Sequence, residues 1–172
     1  LVSKVHLTPK TLAPAPAAKE YTALRTTDNE VWIAPYDAKN IYLMMLHNEG
    51  AKWNADKAAV EALFNEYFGG GMNAIVFQEL REARGLAYSA SASYSRPARP
   101  QDDEMFFTYI ITQNDKMMDC VNEFLNLLNN TPEREANFKL AQQALVKSLA
   151  TARTTKFGVL TSYLRAQKMG LD

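Results

Sequence analysis

The sequence predicts an α+β domain in which a mostly antiparallel sheet is layered with helices. Two observations predict it: short runs of Val, Ile, Tyr and Phe come in neighbouring pairs, and amphipathic helical patterns come in runs of their own. The regular strand and helix alternation that marks a parallel sheet is missing. At 172 residues the chain is long enough to bury one real core, and its 47% hydrophobic against 22% charged residues is an ordinary globular balance.

Residues 1–30 hold Pro9, Pro14 and Pro16 among Ala, Lys and Thr, a composition that buries little and reads as an interdomain connector. Residues 31–172 then form the folded unit, expected to be cut short at its C-terminal end; because the sequence opens on Leu1 rather than Met, it is read as part of a longer chain. Residues 31–36 (VWIAPY) and 40–47 (NIYLMMLH) are both expected as strands, separated by a polar break with Asp37 and Lys39. Asn54 reads as the cap of a helix running to Phe68, whose apolar stripe is Val60, Leu63, Phe64, Tyr67 and Phe68.

Gly69, Gly70 and Gly71 release this helix into a second, expected over 72–84 with Met72, Ile75, Val76 and Leu80 on its buried face. Gly85 is the expected left-handed residue after that helix, with Leu86 folding back on Leu80 in a Schellman-like stop. A strand over 86–94 follows, with Leu86, Tyr88, Ala90, Ala92 and Tyr94 on one face and Ala87, Ser89, Ser91 and Ser93 on the other. The loop SRPARPQDD closes a hairpin onto a strand over 104–112. Three helices complete the chain: 115–129, with Met118, Val121, Phe124, Leu125 and Leu128 inward; 132 to about 153, opened by Thr131 and Pro132; and 157–168.

Nineteen basic and nineteen acidic residues cancel, so nothing favours nucleic acid or an anionic membrane surface as the main partner. No apolar run approaches the ~20 residues of a membrane span. The single cysteine, Cys120, excludes an internal disulfide and fits either redox compartment, and its place on a helical stripe reads as packing. Compartment stays open, an extracytoplasmic or periplasmic location requiring a signal peptide upstream of Leu1. The two histidines, His6 and His47, stand 41 positions apart and offer no H-x-x-H pair, so His47 with Glu49 is at best a half-site for metal. Ser89, Ser91 and Ser93 lack a G-x-S-x-G setting. The triple glycine is followed by no Lys-Ser/Thr pair and preceded by no strand, so it reads as geometry rather than a phosphate cradle.

Arg81 has Phe77, Gln78, Arg84 and Gly85 at i−4, i−3, i+3 and i+4, so no carboxylate at helical spacing satisfies it. It reads either as a solvated surface arginine or as a guanidinium free to bind a carbonyl or a developing oxyanion beside Tyr88. Tyr88 in turn reads either as part of that site or as a core aromatic.

The stretch FGGGMNAIVFQELREARGLAYSASASY, residues 68–94, resembles the non-catalytic halves of the pitrilysin, insulysin and mitochondrial processing peptidase family of zinc peptidases, the inverzincins, and the likeness extends more loosely from about residue 31 to 172. The resemblance implies the processing-peptidase-like metallohydrolase fold and a split active site. One domain of such a site holds zinc through an inverted H-x-x-E-H helix, while the other supplies an arginine and a tyrosine that hold peptide substrate and stabilise the tetrahedral intermediate. Carried over by position these are Arg81 and Tyr88 of LREARGLAY, with Gly69, Gly70, Gly71 and Gly85 as the turns that place them. The helix in the place of the zinc helix, ADKAAVEALFNEYF, contains no histidine, so the chain is expected to bind no metal and to be inactive alone, completing a zinc site held by an upstream or separate domain. The alternative is a catalytically inactive assembly subunit of the same fold; a stand-alone small-ligand module using the glycine turn is a third class.

Overall fold

The computed structural model describes residues 14, 16, 17, 19 and 21–171; His6, Pro9 and most of the expected connector lie outside them. A three-stranded antiparallel sheet is ordered β1 (Asn40–His47), β3 (Met105–Gln113), β2 (Ala87–Ser95). Helices α1 (Ala58–Phe68) and α2 (Ile75–Phe77) lie between β1 and β2 in sequence, with α2 continuing directly as a π-helical turn over Gln78–Ala83. After β3 come α3 (Met117–Asn129), α4 (Glu135–Thr151) and α5 (Lys156–Met169).

One sheet face is closed by helices. Phe68 of α1, Ile75, Val76 and Leu80 of the second helix and Cys120, Phe124 and Leu127 of α3 bury against Ala87, Ala90, Ala92 and Ile110. Small residues on β2 let the helices approach closely, and Phe68 packs edge-on to Phe124 at 6.4 Å. The other face is open: Tyr42, Met44 and Leu46 of β1 stand opposite Ile111, Tyr109 and Phe107 of β3, with Ser89, Ser91 and Ser93 beyond them on β2.

Several sequence expectations change. Residues 31–36 form no strand; Trp32 is 88% exposed, and no described residue pairs with the outer edge of β1. A strand is defined by its neighbour, and Pro35 removes one ladder donor. Val60 and Met72 are exposed rather than buried, and the second helix starts at Ile75. The inward face of α3 is Cys120, Phe124 and Leu127; Met118, Leu125 and Leu128 flank it and stay exposed. Helix α4 begins at Glu135, later than expected, because the segment from Pro132 is held extended: the Tyr67 hydroxyl donates to Pro132 O (2.5 Å) and accepts from Arg134 N–H (2.9 Å). The cap at Asn54 forms as expected, its side chain accepting from Asp56 N–H at 2.9 Å.

The expected connector is tied down where it meets the domain. Thr26 N–H donates to Asn48 O (2.7 Å), and Asn48, buried, donates from N–H to Thr26 Oγ1 (3.0 Å) and from Nδ2 to Leu24 O (3.0 Å).

Candidate functional site

The site residues are delivered by one corner. Each hydrogen bond that ends the second helix reaches one residue further back than in an α-helical Schellman stop: Gly85 N–H donates to Arg81 O (3.1 Å) and Leu86 N–H to Leu80 O (2.7 Å). The preceding turn is π-helical, which accounts for the extra residue. Gly85 takes φ +59°, the left-handed conformation expected of it. The corner is then anchored from β3 and beyond, with Thr112 Oγ1 donating to Leu86 O (2.6 Å) and Lys116 Nζ to Gly85 O (3.0 Å).

Two residues later the strand bulges. Ala87 is opposite Thr112 and Ser89 is opposite Ile111, so Tyr88 is the extra residue. Strict alternation would place Tyr88 on the core face with Ala90 and Ala92. The bulge instead buries Ala87 with them and turns Tyr88 outward, 71% exposed, which corrects the expected grouping of Tyr88 with the buried alanines. The Arg81 guanidinium lies 5.3 Å from the Tyr88 ring centroid and 5.0 Å from that of Phe77. Its Nε is 3.5 Å from Glu82 Oε1, an adjacent carboxylate that helical-spacing arguments do not count. The structure therefore brings Arg81 and Tyr88 together and adds Phe77, whose signal in the sequence is its i−4 position.

The three glycines before the second helix act differently from one another. None of them has a positive φ. A Cβ on Gly69 would lie 2.2 Å from the backbone oxygen of Ala92, because the end of α1 docks on the outer edge of β2: Ala92 N–H donates to Gly69 O (3.4 Å), and the Asn65 side chain bonds both backbone groups of Tyr94 (2.8 and 3.0 Å). Gly70 is confined by the carbonyl of Asn65 at 2.8 Å, whereas Gly71 meets only the end of the Glu66 side chain at 3.6 Å. Close approach, rather than left-handed backbone, sets the need for glycine here.

Buried charge gathers behind the corner. Glu79, its side chain 8% exposed, accepts from Arg84 Nη1 at 2.8 Å and from Arg134 Nη2, and Arg84 reaches on to Glu123 at 2.9 Å. Glu79 occupies the i+7 position of the stripe that starts at Met72, and a lone carboxylate on that otherwise apolar face is the signal the sequence carried for it.

Neither of two shallow clefts, of about 250 and 420 Å³, touches Arg81 or Tyr88; both lie at the tip of the β2–β3 hairpin around Tyr21, Arg99 and Asp103. The Arg81–Tyr88 pair thus stands on an open surface at the opposite end of β2. No group of three or more His, Cys, Asp or Glu among the described residues is arranged to hold a metal ion, and His47 is exposed at the end of β1. Burial raises the Cys120 thiol pKa, a hydrogen bond with Thr112 opposing, as suits a packing residue.

The architecture is a helix-backed antiparallel α+β domain with an arginine–tyrosine corner exposed at one end of β2. The chain belongs to the peptidase M16 inactive domain family, whose model matches residues 3–148. It is also similar to a crystal structure of a peptidase M16 inactive domain from Pseudomonas fluorescens, at 19% identity and a TM-score of 0.62, covering 80% of this chain. That likeness speaks for the fold, and the chain spans 32% of that structure's length. Comparison with curated proteins finds no match.

Proposed function

We propose that this domain supplies the substrate-supporting half of a split zinc metalloendopeptidase site, Arg81 binding a peptide carbonyl and Tyr88 donating to the oxyanion that develops during hydrolysis. The observation that carries the reading is the placement of an exposed phenol beside a guanidinium on one rigid corner, 5.3 Å from ring to guanidinium carbon. Both groups are donors, and both are aimed away from the core by the helix stop and the bulge. Donors held in advance where negative charge will develop lower a barrier because no reorganisation accompanies the reaction.

The metal, and the group that activates water, belong in this reading to another domain of the same family, upstream or separate. An open half-site is what such a division of labour requires, since the second wall of the cleft comes with the partner. The bound molecule is an extended peptide, whose carbonyls present acceptors at regular spacing.

The open sheet face carrying Tyr42, Met44 and Leu46 favours a second reading, an assembly subunit of the same fold whose apolar face packs on a partner. The two separate on the complete protein. Peptide hydrolysis that falls in kcat/KM on Arg81→Ala supports the first. A complete protein and genetic neighbour that both lack H-x-x-E-H contradict it.

A further inference from the structure

We propose that Glu79 is the positioning residue of the Arg81–Tyr88 pair: its buried carboxylate, stapled to Arg84 and Arg134, holds the π-helical turn that aims Arg81 at the Tyr88 ring. The inference rests on the reading of that pair as the substrate-supporting site.

The argument starts from the spacing. Glu79 and Arg84 are five residues apart and are joined at 2.8 Å. In an α-helix each residue advances about 100°, so residues five apart lie about 140° from one another and their side chains diverge. A π-helical turn closes i to i+5, which brings such residues over each other. The Glu79–Arg84 pair is thus a side-chain link that the π geometry permits and the α geometry breaks. The link runs from inside the π-helical turn Gln78–Ala83 to its cap residue, Arg84, and so brackets Arg81.

The link is fixed to its surroundings at three points. Arg84 also bonds Glu123 of α3 at 2.9 Å, and Glu79 also bonds Arg134, in the segment before α4. Arg134 N–H in turn donates to the Tyr67 hydroxyl of α1 at 2.9 Å. Glu79 therefore gathers a connection from α1, α3 and the α3–α4 segment onto one turn. Isolated π-helical turns are rare and persist where their environment determines them. If the turn relaxed to α-helical hydrogen bonding, every residue after it would be offset by one position. The bond from Leu86 N–H to Leu80 O would be lost, and Arg81 would rotate away from Tyr88.

The test uses the complete protein with Glu79→Gln, alone and combined with Arg81→Ala. A crystal structure of Glu79→Gln is expected to show Arg81 displaced from the Tyr88 ring and the Leu86–Leu80 bond absent. An unchanged Arg81–Tyr88 contact overturns the proposal whether or not the protein is a peptidase. In kinetics, Glu79→Gln is expected to lower kcat/KM for a peptide by about 10- to 100-fold, the scale of a small misplacement of a positioned group. It should add nothing to Arg81→Ala, because it acts through that residue. Additive losses overturn it by showing a role in stability alone. Should Glu79→Gln not fold, Arg84→Met removes the five-residue link while leaving Glu79 paired with Arg134, and the same two outcomes apply. An Arg81→Ala enzyme with full activity would instead contradict the site assignment, leaving the structural arm to decide the role of Glu79.

Discussion

Glu104, at the entrance to β3, holds its proton more tightly than an ordinary glutamate. Burial is the main cause, followed by the charge and hydrogen bond of Glu61 from α1, with Lys57 opposing. Because the folded pKa is raised above the ordinary 4.5, the stabilising contribution of the protonated group is complete below that value and is lost as pH rises through the folded pKa. Glu104→Gln should therefore raise Tm at pH 7, and the gain should shrink towards pH 4; an equal gain at both pH values would contradict the assignment. Burial raises the Tyr94 hydroxyl pKa, and the charge of Glu49, followed by those of Glu104 and Glu61, adds to it. The value of Tyr88 as a donor depends on where the bulge puts it, outward and 71% exposed.

At the level of elements, the α1–β2 contact is the tightest constraint near the site, and it rests on one glycine. Gly69→Ala should cost about 1–3 kcal/mol, the usual penalty of overpacking, because the added carbon meets the Ala92 backbone at 2.2 Å and neither segment can yield without losing the Asn65–Tyr94 bonds. Gly71→Ala meets only a flexible side-chain end at 3.6 Å and should leave denaturant stability nearly unchanged. Equal effects in denaturation curves would refute this division. These elements also show what a sequence makes legible. The helix stop could be read at Gly85 and Leu86 because its determinants are adjacent in the chain, and the hairpin because both strands carry their own patterns. The bulge at Tyr88 could not, since it exists only relative to the register of β3. On α3 two neighbouring apolar stripes were available, and the packing partner chose Cys120, Phe124 and Leu127. The π-helical turn escaped for a similar reason: its signature is a charged pair at i, i+5, a spacing that α-helical templates do not score.

For the molecule as a whole, β1 is a sheet edge and residues 31–36 form no strand. Limited digestion with chymotrypsin should cut first at Trp32 or Tyr36, both largely exposed, and only later in the hairpin; early cleavage within β2 or β3 would contradict the described arrangement. The chain belongs to a non-catalytic peptidase family, and among its described residues no helix is long and apolar enough to cross a membrane. Its sheet is closed on one side and open on the other, with the Arg81–Tyr88 corner at one end of β2. The proposed activity therefore depends on a partner that completes the cleft, and the central claim is that Tyr88 acts on the transition state rather than on binding. The most direct measurement is the steady-state kinetics of the complete protein carrying Tyr88→Phe, a change that removes one hydroxyl from an exposed ring. The predicted result is a fall in kcat of about 100- to 1000-fold, the cost of about 2.7–4 kcal/mol for an oxyanion donor, with KM little changed. A Tyr88→Phe enzyme with wild-type kcat would contradict the account.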